Sequence, residues 1–538
     1  MTGPLIDVVP RKLLRVGVLA APLVCLIGIF AMTAGTDESW IVLSSRGLAE
    51  HGRYGAESPF RSVYSTGGAY TVAATILHAL GGGRLAVVRL LSALSLTGLL
   101  FLIRRFAQRS LPAESSASWI MGATLLAVPG TFMLAAQAYG EILATVLVVA
   151  GALGWGTAPA GSWGRRVWTG VLLGTAAATR VNCVVALAAI PIAAFLTPAR
   201  RRAELVDAGL ALVVGAAVFA IQYKLLIAIS IDPAAESKGG GTYVLESGPG
   251  LNFGYLIPLT LNYWSIAQDF LPFFVIAAVV AGWAWARPQV TSPQGADLLL
   301  VFSLLIWAAW LARAPIPHLR YLWPGLAGFA IVGGLVLGVL DGRLAQSGSP
   351  AARAGLSWVA VSLLIVGYMD GARTYQQGES DVLSWQWHRS VPYATEFGPL
   401  RALRSQKSIV QRLNELPPGE IVATIGMDTA LSLLTRRSIV PVGAYYSPER
   451  YEELQPLRHP PGAKPRWLAV TPFVNRFPSG RVPPALHRWI EQNCRLDSKF
   501  GPYVLYEVQG PYPESPDVFA LEYWSSRLPL TVDPRSGR

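Results

Sequence analysis

Charge is what this 538-residue sequence has least of. Asp, Glu, Lys and Arg make up 14% of it, against 52% hydrophobic residues. A soluble globular chain carries about one quarter charged residues, so the deficit excludes an ordinary soluble organisation and points to many membrane spans. Cysteine is scarce too. Cys25 and Cys183 fall in apolar runs and only Cys494 in polar sequence, which excludes a disulfide framework or a zinc quartet. The polar C-terminal part holds no G-x-G-x-x-G and no P-loop, so nucleotide binding has no motif to rest on. No internal repeat supports a transporter built from inverted halves.

What is present is basic. There are 44 Lys and Arg against 32 Asp and Glu, a formal charge of +12, with pI ≈ 9.7 and mean hydropathy +0.42. The arginines stand in short loops between apolar runs, which is the positive-inside pattern of membrane proteins and not a nucleic-acid patch. No nucleic-acid partner is expected.

Hydropathy read against those loops predicts about eleven spans. The first, Val16 to about Ala34, follows Arg11, Lys12 and Arg15; its length and the later spans favour an uncleaved helix over a signal peptide. The stretch to Ser65, with Trp40, Arg46, Arg53, Tyr54, Arg61 and Tyr64, is too polar to span and reads as interfacial helices. Spans follow near Leu85–Ile103 and Trp119–Ala136, then from Glu141. Two short runs, Val167–Ala178 and Val181–Leu196, form a tight pair. The span near Glu204–Leu226 opens onto a loop whose Gly239 to Gly241 predict mobility. Later spans lie near Leu271, Leu298, Tyr321 and Leu356. The parity puts the N-terminus in the cytoplasm and everything beyond about Asp370 outside a multi-pass cell membrane protein. Residues 1–370 are thus expected to form a transmembrane domain and 371–538 an extracytoplasmic α/β domain.

In that tail, GEIVATIG follows the turn signal Pro417-Pro418-Gly419 and reads as a strand. MDTALSLLTRR reads as a helix, SIVPVG and PRWLAVTPF as strands, VPPALHRWIEQN as a helix and KFGPYVLYEV as a strand. The alternation predicts a small α/β sandwich with a mostly parallel sheet.

Candidate chemistry lies at the outer helix mouths. Asp37 and Glu38 follow the first span, where a carboxylate is either ordinarily solvated or functional. Glu141, in AAQAYGEILATV, falls on the same side and also suits a helix N-terminus. Together they can supply a general base, a positioning group, or ligands for a divalent ion such as Mg or Mn through Asp37 and Glu141. In RAPIPHLRYLWPGLAG, Arg320 is placed either to snorkel or to grip a phosphate, with His318 beside it. Arg61 and Arg180 are further outer-side arginines and count with Arg320 and His318 as candidate donor-phosphate ligands; Arg180, inside an apolar stretch, requires an anionic partner if buried. Gly170 to Gly174 is a small-residue packing motif with no function assigned.

An acidic pair after the first span, W-x(n)-L-x-x-x-G-R-Y behind it, AYGEILA, HLRYLWPGLAG and an outside α/β tail together resemble the GT-C integral-membrane glycosyltransferases. The nearest likeness is to bacterial relatives of protein O-mannosyltransferases and aminoarabinose transferases. VATIGMDTALSLLTRRSIVPV resembles the tail segment of such proteins. The resemblance implies transfer of a sugar, with inversion, from a polyprenyl-phosphate donor to a lipid, polysaccharide or protein hydroxyl at the outer membrane face. It also implies Asp37 as the base, Glu38 shaping the site, Glu141 orienting acceptor or metal, and Arg320 on the donor phosphate, with Arg61 secondary. Many relatives carry Asp at the second acidic position, where this chain has Glu. Two other readings stand beside the enzyme: a transporter or flippase of a lipid-linked intermediate, and a non-catalytic binder of lipid-linked glycan.

Overall fold

The computed structural model describes residues 3–32, 34, 36–54, 68–111, 116–196, 201–230, 266–313, 319–377, 393–425, 429–435, 437–442, 465–470, 484–501 and 503–511. The N-terminal part is helical: α1 Gly3–Ala31, α2 Thr36–His51, α3 Gly68–Leu80, α4 Leu85–Ser110, α5 Ala117–Leu126, α6 Thr131–Ala136, α7 Glu141–Thr157 and α8 Trp163–Thr179. A single 3-10 turn, Val181–Val184, leads into α9 Val185–Phe195, followed by α10 Arg201–Ala228, α11 Ile266–Ala286, α12 Gln294–Arg313, α13 Leu319–Gln346 and α14 Pro350–Gln377. Each apolar run read as a span is helical. Among the described residues, five helical stretches are long and apolar enough to cross a membrane: Val8–Ala31, Leu85–Ser110, Arg202–Ala228, Leu322–Gln346 and Pro350–Ala372.

These helices are two-faced without being amphipathic in the ordinary sense. On α1, Leu14, Val18, Ala21, Cys25 and Ile29 follow the i, i+4, i+7 spacing of one helix face and are buried in the bundle. Val16, Leu19, Leu23 and Phe30 are exposed. Apolar side chains on both faces are what a helix between protein and lipid requires, since its backbone is satisfied internally. Gly170 and Gly174 of α8 meet α10 directly: a Cβ on Gly170 would lie 2.5 Å from the Ala211 carbonyl, and one on Gly174 would strike the Gly215 carbonyl. The motif is a close-approach face between two helices.

Two expectations for this part are corrected. The run from Trp119 to Ala136 is not one helix. Pro129 and Gly130 break it, with Gly130 at φ 80°, and the freed Gly130 N–H donates to Asp370 Oδ2 at 2.9 Å. The segment after Asp37 does not lie open at an interface either. Ser39 and Ile41 to Ser45 are buried, and α3, unread in the sequence, packs beside α2.

One end of the bundle is tied by ion pairs between helix ends. Asp341 accepts from Arg353 Nε (2.9 Å), Arg11 Nη2 (3.4 Å) and the Ser116 N–H (3.0 Å). Asp297 accepts from Arg287 Nε (3.0 Å) and Trp283 Nε1 (2.9 Å). Arg165 pairs with Glu204 (2.7 Å) and lies over the Trp155 ring, while Arg166 reaches Asp207 (2.6 Å). Several of the loop arginines are therefore bound in buried or half-buried pairs, which the sequence pattern alone presents as free basic loops.

The tail begins with α15 Tyr393–Glu415 and continues β1 Ile421–Ile425, α16 Thr429–Leu434, β2 Ser438–Val442, β3 Trp467–Val470, α17 Pro484–Asn493, β4 Cys494–Phe500 and β5 Tyr503–Val508. The strands form one sheet in the order β2-β1-β3-β5-β4. β1 is parallel to β2 and β3, but β5 is antiparallel to β3 and β4, so the sheet is mixed, not mostly parallel. The difference has a local cause: residues 494–508 fold back on themselves around Gly501 (φ 57°) as a hairpin, which can only pair antiparallel. Ile409 and Leu413 of α15, with Leu416 just past its end, pack on Val422, Ile439, Trp467 and Leu505 as a second core.

Replacing Gly174 with Leu should cost about 1–3 kcal/mol or more through overpacking at α10, read as a lowered thermal midpoint in detergent; an unchanged midpoint would show the close approach is not needed. Arg412 holds the Asp497 carboxyl, and Arg466 with Arg495 holds that of Glu507, below the usual carboxylate range. A carboxylate depressed in the folded state adds stability above its unfolded pKa and loses it as pH falls through the folded value. Hydrogen exchange in residues 494–508 of the full chain should therefore accelerate, beyond the intrinsic pH effect, below about pH 4. Because these pairs are partly exposed, the effect should be small and salt-sensitive.

Candidate active site

The opposite end of the bundle gathers the turn between α1 and α2, the first turns of α4 and the turn between α6 and α7. Arg89 joins them. It lies in the second turn of α4, is 3% exposed, and donates Nε to Glu38 Oε1 and Nη2 to Glu38 Oε2, both at 2.7 Å. Its Nη1 donates to the carbonyls of Ile29 (2.7 Å) and Met32 (2.9 Å), which lie at and just beyond the C-terminal end of α1. A cation near a helix N-terminus is disfavoured by the dipole of its own helix. Here it is matched by a carboxylate and by the carbonyl-rich end of another helix, whose last carbonyls have no intrahelical partners.

Glu38 completes the junction. Its Oε1 also accepts the Ala138 N–H at 2.7 Å. Ser92 Oγ donates to the Tyr139 carbonyl (3.1 Å) and lies 3.3 Å from the Tyr139 nitrogen. The Tyr70 hydroxyl lies 3.4 Å from Ser92 Oγ. The segment carrying Asp37 and the AYGEILA segment are therefore hydrogen-bonded neighbours. Glu38 is fully buried with both oxygens engaged. Such a carboxylate fixes geometry; it is not disposed to take a substrate proton.

Glu141 and Arg180 form a second buried pair next to the first. Glu141 is the first residue of α7, where the helix dipole favours an anion, and Arg180 directly follows the last residue of α8, where it favours a cation. The anionic partner that a buried Arg180 requires is Glu141. Glu141 Oε2 is buried without a hydrogen-bond partner among the described residues. Ala138, whose N–H Glu38 accepts, lies three residues before Glu141, so the two buried pairs are close neighbours.

Asp37 is the second residue of α2, adjacent in the chain to anchored Glu38, with its side chain outside the described residues. Arg320 is the second residue of α13, and its side chain likewise lies outside them. One turn on, Trp323 Nε1 donates to Thr131 Oγ1 at 3.2 Å, which brings the start of α13 beside α6. Arg61, His318 and the Gly239 to Gly241 loop lie outside the described residues. Arg89, absent from the sequence candidates, carried a signal that Arg180 was read by: an arginine inside an apolar run needs a buried anion.

The divalent-ion reading rests on Asp37 and Glu141, and the Asp37 side chain lies outside the described residues. Among the described residues no three His, Cys, Asp or Glu side chains come together as a metal site. Glu141 is already neutralised by Arg180, so a second cation there would gain little charge and meet a like one. Cys494, in the tail, is no nucleophile at neutral pH, since burial pushes its thiol up to about 11.

Removing one partner of a desolvated pair leaves the other charge uncompensated, at a cost of about 3–5 kcal/mol. Arg89→Ala and Glu38→Ala should each lower the thermal midpoint in detergent sharply, and Arg89→Met with Glu38→Leu should recover part of the loss. Single variants as stable as the parent would contradict the junction.

No family model matches this sequence, and no curated protein matches it. Among solved structures, ArnT from Cupriavidus metallidurans bound to undecaprenyl phosphate superposes with TM-score 0.61 at 15% identity, over 92% of this chain and 99% of that one. The same protein in its apo state gives TM-score 0.59 at 15% identity, over 92% and 98%. The archaeal oligosaccharyltransferase AglB from Archaeoglobus fulgidus, in complex with an inhibitory peptide and a dolichol-phosphate, gives 0.51 at 13% identity, over 93% and 75%. At these identities the likeness is one of fold: a mostly α-helical polytopic membrane protein with a small C-terminal β-domain.

Proposed function

We propose that this chain is a membrane-bound glycosyltransferase that moves a sugar from a polyprenyl-phosphate donor to a hydroxyl acceptor. The observation that carries the reading is the near end-to-end likeness to ArnT, together with the meeting of the two acidic segments around Arg89. The ligands of the two similar proteins, undecaprenyl phosphate and a dolichol-phosphate, share an isoprenoid tail and a phosphate head. A bundle with exposed apolar faces and buried charge at one end suits a molecule of that kind: its tail stays in lipid and its head reaches the polar end.

In this reading Asp37 is the general base. Its carboxylate takes the acceptor hydroxyl proton as the oxygen attacks the anomeric carbon. The bond from that carbon to the phosphate oxygen breaks, and the polyprenyl phosphate leaves with the electron pair, inverting the sugar. The leaving phosphate is already charged, so the protein's work is positioning and anion stabilisation. Arg320 is placed to hold the phosphate, with Arg61 secondary and His318 beside it. Glu38 and Arg180 serve as fixed partners of Arg89 and Glu141. About eleven crossings, a cytoplasmic N-terminus, and an extracytoplasmic tail dividing from the membrane part near residue 370 complete the proposal. The buried ion pairs described here sit at helix ends, which favours an enzyme over a transporter with charges along its path.

The test compares envelope glycans and lipid-linked sugars in cells with and without the gene. A glycan that disappears, with its lipid-linked sugar accumulating, identifies acceptor and donor. Asp37→Asn should abolish that product while the protein still inserts at parental levels. Product formation near the parental rate would refute Asp37 as the base.

A further inference from the structure

Helix α15 carries a stripe of side chains into the tail core. Ile409 and Leu413 lie on it, Leu416 follows directly after the helix, and Gln406 stands one turn before Ile409 on the same face. A carboxamide on an apolar stripe is costly unless its polar atoms are bonded. Gln406 is buried, 4% exposed, and bonded across the junction to the other part of the chain. Its Oε1 accepts the N–H of Ala34 at 3.0 Å, and its Nε2 donates to the carbonyl of the same Ala34 at 3.0 Å. Nε2 also points at the Tyr503 hydroxyl of β5, 3.4 Å away. One side-chain amide thus pairs with both backbone groups of one residue, in the manner of a strand neighbour.

Ala34 lies between α1 and α2, three residues before Asp37 and four before Glu38. The chain from Ala34 to Asp37 spans at most about 11 Å even when extended, so fixing Ala34 narrows where Asp37 sits. The same turn is held from the bundle side by Arg89, through the Ile29 and Met32 carbonyls and Glu38. Tail helix α16 packs against α2 beyond it, and Leu433 of α16 joins the core of the membrane bundle.

We propose that Gln406 is a positioning residue through which the tail domain sets the acidic segment for sugar transfer. The tail is then part of the catalytic apparatus without touching substrate. The inference rests on the Asp37 reading. It assigns the tail the role of fixing the base, separate from any binding of acceptor.

The experiment uses the full chain with Gln406→Leu, Gln406→Glu and Asp37→Asn. It reads hydrogen exchange of residues 31–38 in detergent, undecaprenyl phosphate binding, and the envelope product lost on gene deletion. Gln406→Leu keeps the volume and removes both bonds, so exchange in 31–38 should rise about tenfold or more. Product should fall about tenfold or more, with undecaprenyl phosphate binding unchanged. Gln406→Glu supplies a decisive readout. Protonated, it offers one acceptor and one donor to Ala34, as the amide does; ionised, it sets a carboxylate against the Ala34 carbonyl. Protection of residues 31–38, corrected for intrinsic rates, should recover in Gln406→Glu as pH is lowered and not in Gln406→Leu. Unchanged exchange in Gln406→Leu, or raised exchange with parental product, overturns the inference, as does absence of pH-dependent recovery in Gln406→Glu. If Gln406→Leu does not fold, the pH response of Gln406→Glu decides alone. Asp37→Asn separates the layers: parental product there defeats the base assignment, whatever Gln406 does to exchange.

Discussion

The buried pair of Arg89 and Glu38 is the interaction on which the candidate site depends. Desolvating both charges is expensive, and their mutual attraction repays it only when geometry is good and the remaining donors and acceptors are occupied. Both conditions are met here: two 2.7 Å bonds join guanidinium to carboxylate, Arg89 takes up the carbonyls of Ile29 and Met32, and Glu38 takes up the Ala138 N–H. One ion pair thereby sets the end of α1, the start of α2, the second turn of α4 and the approach to α7. The Asp37 backbone follows from it, because Asp37 is one residue from Glu38. In the proposed function this places the base next in sequence to a locked carboxylate, whose bonds to Arg89 and the Ala138 N–H fix the backbone beside it.

The two ends of the bundle divide the labour. At one end Asp341, Asp297, Glu204 and Asp207 bind arginines from neighbouring helices and hold the ends together. At the other, the paired charges surround the turns that carry the acidic motifs, and Glu141 Oε2 is buried without a hydrogen-bond partner among the described residues. Between them the helices pack through small residues and present apolar faces outward. The tail domain adds a second constraint at the chemical end through Gln406.

Much of this was legible in the sequence, for reasons that particular segments make plain. The long apolar runs could only be helices, because lipid leaves no other way to satisfy the backbone. GEIVATIG, SIVPVG and VPPALHRWIEQN became β1, β2 and α17 because turn residues bound them and their period is clear. Asp37-Glu38 and AYGEILA were placed on one side by parity, and Ala138 does meet Glu38. What the sequence concealed was pairing. Arg89, inside an apolar run, signals that it needs an anion but not which one, and nothing local distinguishes buried Glu38 from solvated loop acid. The Pro129-Gly130 break and the β4–β5 hairpin at Gly501 have local causes, but the Asp370 carboxylate that accepts the Gly130 N–H lies 240 residues away, beyond any local reading. Gln406 was invisible for the same reason, since its partner lies 372 residues away.

The central claim is that the end of the bundle organised by Arg89 and Glu38 is where a polyprenyl phosphate is used. An experimental structure of the full chain with undecaprenyl phosphate bound tests it most directly. The phosphate should lie at the meeting of the α1–α2 turn, the first turns of α4 and the start of α7, with the Asp37 carboxylate facing the position of the anomeric carbon. A phosphate bound instead at the opposite end, among Arg11, Arg165, Arg287 and Arg353, would contradict it.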